Sequence, residues 1–212
     1  MLEKPKDGRS SSEASIFERF SPDDVRELVR EYPLAWVFAR GAEDPAPSLL
    51  PLLGDYDALG RLVGLVGHMS RRNPLVEAFS HDPRALILFQ GPSAYVSPDQ
   101  AGRRDWAPTW NYAQLSIEAT VRITPTETDA AIRRLVTTME ADRPAPWDVD
   151  AIEGRYATML EQIIGFRADV IRLKGRFKVG QDETPATAQA IMATTADPAL
   201  VRWMTRFNKD RA

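Results

Sequence analysis

The longest alternating stretch of the chain, NYAQLSIEATVRI at positions 111–123, most constrains what the chain can fold into. Apolar residues fill every second position from Leu115 to Ile123, and polar residues fill the positions between, from Gln114 to Arg122. Successive side chains of a β-strand point to opposite faces. The pattern therefore predicts one long strand, with one face in a core and the other toward solvent, a partner or a ligand.

The rest of the chain supplies further strands and a smaller number of helices. Strands are predicted at 34–39, 48–53, 61–67, 84–90 and 166–179, and helices after Ser21-Pro22, at 74–79, at 126–141 and around 151–162. Strands and helices do not alternate regularly, so we predict an α+β, mainly β fold: an antiparallel barrel with flanking helices.

The two ends of the chain differ in character from this central part. Residues 1–15 are charged and serine-rich, and we expect a disordered leader rather than a secretory signal. Residues 16–181 form the predicted barrel domain, and 182–212 a helical C-terminal extension. In that extension Asp197 caps a helix whose apolar stripe packs on its own domain or on a second copy; the stripe contains Leu200, Trp203, Met204 and Phe207.

Composition excludes several classes of function. The 27 basic and 30 acidic residues give a net charge of −3 without a basic stripe, which argues against direct DNA binding. The absence of cysteine excludes disulfides and thiolate metal sites and fits a cytoplasmic protein. No run of 18 apolar residues suggests a membrane span.

A polar turn, Ser70-Arg71-Arg72-Asn73, lies between a predicted strand and the helix that Pro74 begins. Asn73 is suited to cap that helix, and free backbone N–H groups at a helix start attract anions. Two guanidinium groups add forked donors that match phosphate oxygens. The turn is thus a candidate phosphate site, although a helix cap with solvated arginines has the same local pattern.

The two histidines differ in context. His68, at a strand end beside this turn, is a candidate cofactor contact or iron ligand, or else a half-buried histidine bonded to backbone. His81, in SHDPR, is predicted to lie in a surface turn. Because no spacing of His, Asp or Glu resembles a zinc or di-metal site, we predict no structural metal.

Aromatic and basic residues complete the candidates. Trp106, Trp110 and Tyr112 suit a flat wall against an aromatic ligand, or interface and core packing. Four basic residues alternate along the last strand, as in a solvated face or the far side of an anion pocket: Arg172, Lys174, Arg176 and Lys178. The residues alone indicate a binder of an anionic, aromatic cofactor.

Three segments of the chain carry a family resemblance: GHMSRRNPLVEAF, DPRALILFQGPSAYVSPD and PTWNY. Together they resemble the PaiB family, described as FMN-binding negative transcriptional regulators. The resemblance runs from about Phe17 to Gln181. It implies a split β-barrel related to the pyridoxamine phosphate oxidase flavoproteins, a homodimer, and cofactor sites at the subunit interface. Three family motifs differ here: SLLPLL places Leu49 where a histidine is common, KVGQD replaces KLSQN, and SIFERF replaces the usual N-terminal YxPxxF.

The resemblance also implies roles for individual residues. Ser70, Arg71, Arg72 and Asn73 correspond to the FMN phosphate turn and Gln114 to a glutamine that meets the flavin ring. Trp110, Asn111 and Lys178 are expected nearby. The fold also resembles the haem-dependent piperazate synthases, an alternative in which haem b replaces FMN and His68 is the axial ligand. Whether the chain is an enzyme is left open, and any regulatory effect is expected to be indirect.

Overall fold

The computed structural model describes residues 15–41, 47–152 and 154–211. The predicted leader, 1–15, therefore lies outside the described residues except for Ser15. The Ser15 hydroxyl accepts a hydrogen bond from the Phe17 amide at 3.4 Å and caps a short 3-10 helix, Ile16–Glu18. The described chain thus begins with an anchored segment.

The strands of the described chain form a closed antiparallel barrel in the order β1-β2-β3-β6-β5-β4. β1 closes the barrel by pairing with both β2 and β4. The strand bounds are β1 Leu34–Ala39, β2 Ser48–Tyr56, β3 Leu62–Ser70, β4 Arg84–Val96, β5 Thr109–Ile123 and β6 Ile163–Lys178. The predicted fold class is confirmed.

Helices surround the barrel: α1 Pro22–Glu31, α2 Pro74–His81, α3 Thr128–Glu140, α4 Gly154–Leu160, α5 Pro185–Thr194 and α6 Pro198–Asn208. Further 3-10 turns are Pro125–Glu127, Val149–Ile152 and Lys209–Arg211. Four of the helices begin with proline directly after a capping side chain, because proline fixes a helical φ where no N–H is needed. Within the described chain no helix is both long and apolar enough to cross a membrane.

The alternation of β5 is confirmed in the barrel. Its inward side chains from Leu115 to Val121 are at most 2% exposed, whereas Gln114 and Arg122 on the other face are exposed. Each inward residue meets the inward rows of β4 and β6, as in the pairs of Leu115 with Phe89 and of Ala113 with Phe177. The buried row of β5 is therefore the middle of the core.

Three strands continue past their predicted C-terminal ends. β3 continues through His68 to Ser70 because its last residues pair with β6, His68 opposite Gly165 and Ser70 opposite Ile163. β2 extends to Tyr56 by pairing with β3. β4 continues to Val96 across a bulge after Gln90. In each case tertiary pairing carries the strand past a local turn signal.

The C-terminal extension forms two helices that pack on their own barrel. Leu200, Trp203 and Met204 of α6 are buried in the same core as the strands. The Trp203 ring stacks on Phe177 of β6 with 5.5 Å between centroids, and its Nε1 donates to Glu31 of α1 at 3.1 Å. Of the two partners considered for this stripe, the structure shows the chain's own domain.

Candidate functional site

Gln114 lies on the outer face formed by β4, β5 and β6, level with the C-terminal end of β6. In the sheet register it lies between Gln90 of β4 and Arg176 of β6. Trp110 and Tyr112 share its face because they lie four and two positions away, respectively, on the same strand. The outer face therefore presents amides, aromatic rings and a guanidinium in one neighbourhood.

One cavity, which we call the aromatic cavity, opens beside Gln114 toward β4. It measures about 530 Å³ and is lined by Gln90, Ser93, Trp110, Tyr112, Ala113 and Gln114. Trp110 is 56% exposed and meets the Tyr95 ring edge-on at 5.9 Å. Such a mixture of flat rings and convergent amides suits a planar heteroaromatic ligand.

Trp106 does not join this wall. Its Nε1 donates to the Glu183 carboxylate at 3.1 Å, and its ring packs against the core from the loop after β4. Of the three clustered aromatic residues, the structure thus brings only Trp110 and Tyr112 together with Gln114.

Two cations at the end of β6 are held by neighbouring groups. Arg176 Nε donates to the Tyr112 hydroxyl at 3.0 Å, and Lys178 Nζ donates to Thr109 Oγ1 at 2.7 Å. The Phe17 ring covers both, 5.0 Å from the Arg176 guanidinium and 5.8 Å from Lys178 Nζ. Only 16% of the Lys178 side chain is exposed, so this lysine is better placed to orient Thr109 and Trp110 than to contact a ligand.

The predicted phosphate turn folds as a cap at the start of α2. Asn73 Oδ1 accepts from the Leu75 amide at 2.9 Å, and its Nδ2 donates to Ser48 Oγ of β2 at 2.9 Å. The Ser70 hydroxyl accepts from the Arg72 amide at 3.2 Å. Arg71 Nε donates to the Glu161 carbonyl at 2.9 Å, which orients its guanidinium.

The two arginines of this turn have no ion-pair partner in the part of the chain that the structure describes. Among the described residues neither Arg71 nor Arg72 has a carboxylate at ion-pair distance, whereas Arg61 and Arg84, which lie at the starts of β3 and β4, do. Both turn arginines are exposed. Two such cations beside the start of a helix give the turn the donor set that a phosphate requires.

Two routes around the barrel connect the turn with Gln114. The first runs along β6, where Ser70 of the turn pairs with Ile163 and Gln114 pairs with Arg176. These two partners are thirteen residues apart, at opposite ends of the strand. The other route crosses β2, β1, β4 and β5. The successive register partners on these strands are Leu49, Trp36, Leu88 and Ser116. That row spans three strand spacings, about 14 Å across the sheet.

The same row forms an apolar patch on the outside of the barrel, which we call the apolar face. Trp36 is 42% and Leu49 46% exposed, and Leu34 and Leu88 lie beside them. Leu49 follows Ser48, which bonds to Asn73, and Leu88 precedes Gln90, the partner of Gln114, by two residues. The apolar face thus separates the phosphate turn from the aromatic cavity.

Two further predicted residues lie elsewhere. Asn111 is 2% exposed, and its Nδ2 lies inside the barrel, 3.7 Å from Met204 Sδ. Its side chain therefore points away from Gln114, whereas it was expected beside the ligand. His68 is half-buried on β3, and burial lowers the pKa of its imidazole. It lines neither the aromatic cavity nor the cavity of about 330 Å³ beside Arg71.

Sequence reasoning missed several residues of this neighbourhood. Gln90 and the apolar face were not singled out, and Phe17 was not connected to the cations of β6. Strand parity carried part of the signal: Leu34, Trp36 and Phe38 alternate with the buried Ala35 and Val37. The position of Phe17 depends on tertiary folding and has no such local signature.

A closed antiparallel barrel with this strand order, flanking helices and a polar turn before α2 defines a split-barrel protein. Residues 14–172 match the family model described as "Putative FMN-binding domain". The chain belongs to this FMN-binding family, and the resemblance noted in its sequence is confirmed.

A curated relative is similar to this chain in sequence, and solved structures are similar to it in fold. The chain is 25% identical over 171 residues to the Bacillus subtilis "Protease synthase and sporulation protein PAI 2", covering 78% of this chain and 80% of that protein. Its fold is similar to the FAD and heme binding protein of Mycobacterium smegmatis, with TM-score 0.55, 14% identity and 82% and 78% of the two chains covered. A conserved hypothetical protein of Mycobacterium tuberculosis gives TM-score 0.54 at 13% identity, with 79% and 91% covered.

Proposed function

We propose that this chain holds FMN through two groups of donors on the outside of its barrel. The phosphate is bound by the turn Ser70–Asn73, and the ring lies in the aromatic cavity against Gln114 and Trp110. The observation that carries the proposal is a pair of exposed arginines at the turn, Arg71 and Arg72, which have no carboxylate at ion-pair distance among the residues that the structure describes. The family membership supports flavin as the ligand.

The residues of the chain fit this cofactor chemically. The Gln114 amide offers both a donor and an acceptor to the edge of a heteroaromatic ring, and the Gln90 amide lies opposite it in register. Trp110 offers an exposed ring for stacking. When bound, the flavin supplies the redox chemistry, and the chain binds, orients and shields it.

We further propose that the protein is a homodimer in which a second copy covers the apolar face. An outer sheet face carrying Trp36, Leu49 and Leu34 is unusual for a lone barrel, and contiguous apolar patches mark interfaces. A two-fold symmetric pair is the commonest way to cover such a patch. The turn and the aromatic cavity border this patch on two sides, so a partner seated there would enclose the cofactor.

A flavoprotein role is favoured over direct gene regulation. The net charge is −3, and the two arginines of the turn are assigned to the cofactor phosphate. We propose a cytoplasmic protein whose influence on expression, if it has one, acts through metabolism or a partner protein. A gel-shift assay with upstream DNA at physiological salt checks this, because tight sequence-selective binding by the protein alone would contradict it.

The cofactor site is tested by titrating the protein with FMN. We expect Arg71→Ala with Arg72→Ala to weaken FMN binding about tenfold or more, because two charge-assisted bonds to phosphate are lost. The matched control is Arg103→Ala with Arg104→Ala, an exposed arginine pair in the loop before β5. Equal affinity in the two double variants would overturn the phosphate assignment.

The assembly is tested separately by light scattering. Wild type should give about twice the 23.7 kDa chain mass, and Trp36→Glu should give the mass of one chain. Leu59→Glu is the control because Leu59 is exposed in the turn between β2 and β3, away from the apolar face. A wild-type monomer at micromolar concentration would contradict the proposed dimer.

A further inference from the structure

A second cavity lies on the other side of Gln114, beneath the N-terminal segment 15–20, which we call the strap. The strap is held to the barrel at several points. Phe17 covers Arg176 and Lys178, and the Phe20 ring lies 5.5 Å from that of Phe177. The strap is therefore a built wall of the fold.

Gly175 of β6 allows the strap to lie this close. A Cβ atom at that position would come within 2.7 Å of Phe20 Cε1 and 2.9 Å of Phe177 Cε2. Real Cβ atoms essentially never approach so closely. A glycine here lets the Phe20 ring rest directly on the strand and form an apolar wall over the sheet.

The cavity between the strap and the sheet, which we call the strap cavity, measures about 470 Å³. Its apolar lining includes Phe20 and Leu173, and its uncharged polar lining consists of Gln114 and Ser116. A volume of this size suits a small organic molecule rather than a single ion. The flat apolar wall beside hydroxyl and amide groups favours a planar ligand.

The charge of the strap cavity favours an anion. Lys174 and Arg176 line it together with one acid, Glu18, which lies 3.7 Å from Arg176. In the described part of the chain Lys174 has no carboxylate at ion-pair distance, and the nearby Glu118 is already paired with Arg172. The cavity thus keeps an uncompensated cation at its rim.

We propose that the strap cavity binds a flat organic carboxylate, with the carboxylate on Lys174 and the planar body against Phe20 and Leu173. Gln114 lines both this cavity and the aromatic cavity, so the bound carboxylate would lie next to the ring of the flavin. Its role as a substrate site rests on the proposed function. Binding of the carboxylate itself does not require the flavin.

The test is a calorimetric titration of full-length protein with benzoate, repeated with its neutral isostere benzamide and with inorganic phosphate. We expect saturable benzoate binding, weaker benzamide binding and no comparable phosphate binding. Lys174→Met should weaken benzoate binding about tenfold, because a charge-assisted hydrogen bond is lost. Arg122→Met removes an exposed cation of β5 that does not line the cavity and whose carboxylate partner, Asp169, does not line it either, and should leave benzoate binding unchanged.

Each titration is run on flavin-free and on FMN-supplemented protein, which separates the two proposals. Benzoate binding that depends on Lys174 supports the strap cavity even where FMN fails to bind. FMN binding without benzoate binding overturns this inference and leaves the proposed function standing. A benzoate-induced change in the absorption spectrum of bound FMN is expected from the shared Gln114 wall. Equal benzoate affinity in Lys174→Met and wild type, or benzamide binding as tight as benzoate, would also overturn the inference.

Discussion

Replacing Gly175 with alanine tests whether the strap is packed as tightly as the structure indicates. The added methyl group would lie 2.7 Å from Phe20 Cε1 and 2.9 Å from Phe177 Cε2. Phe177 is fully buried and stacked against Trp203 and Phe207, so it cannot yield easily. The Phe20 ring must move instead, and with it the wall of the strap cavity.

The expected size of the effect follows from two opposing contributions. Overpacking of this kind costs ~1–3 kcal/mol of unfolding free energy. Replacing glycine by alanine within a strand raises the free energy of unfolding by about 0.5–1 kcal/mol, because alanine reduces the conformational freedom of the unfolded chain. We therefore expect Gly175→Ala to lower the free energy of unfolding by roughly 1–2 kcal/mol, measured by urea denaturation.

Gly64→Ala is the matched control on β3. A Cβ there would have its nearest neighbour at 3.6 Å, an ordinary van der Waals contact, so this variant should be as stable as wild type or slightly more stable. In a Phe20→Ala background the Gly175→Ala cost should shrink, because the main clash is gone. Equal effects of alanine at the two glycines would refute the reasoning.

Three further predictions concern the barrel and its helices. Burial lowers the pKa of His68 below its ordinary 6.5, so the imidazole is protonated at a higher pH in the unfolded chain than in the folded one. The free energy of unfolding should therefore fall as the pH drops below about 6.5. Urea denaturation midpoints measured across this pH range should show that His68→Gln flattens the dependence. Trp203→Ala removes a buried ring stacked on Phe177 and should cost about 3–5 kcal/mol in the same assay, whereas exposed Trp147→Ala should cost far less. Ser21→Ala breaks the reciprocal cap with Asp24 at the start of α1 and should lower the free energy of unfolding by about 1 kcal/mol. A decrease of more than about 2 kcal/mol would contradict a purely local role of this cap.

Much of the fold could be predicted from the sequence because it depends on local periodicity and on helix-capping residues. The alternation from Leu115 to Ile123 identified β5 and both of its faces, and the caps at Ser21 and Asn73 located two helix starts. Strand ends were less readable. The sequence after Gly67 looks like a turn, yet pairing with β6 keeps His68 and Ser70 in β3.

The candidate site divides in the same way. The turn residues Ser70–Asn73 and the outward position of Gln114 follow from local pattern, and both lie on the surface as expected. Asn111 shares its strand parity with Leu115 and Ile117, so the alternation of β5 itself indicates an inward position for this side chain. The position of the turn relative to Gln114, with Trp36 between them, depends on how the closed barrel is sheared, which no local pattern encodes.

The central claim, that the turn and Gln114 hold a flavin, is tested most directly by the absorption spectrum of protein purified without added cofactor. The account predicts protein-bound flavin bands in wild type and in the Arg103→Ala, Arg104→Ala control, and loss of those bands in the Arg71→Ala, Arg72→Ala variant. A Soret band that His68→Ala abolishes would contradict the account and show that the chain carries haem instead.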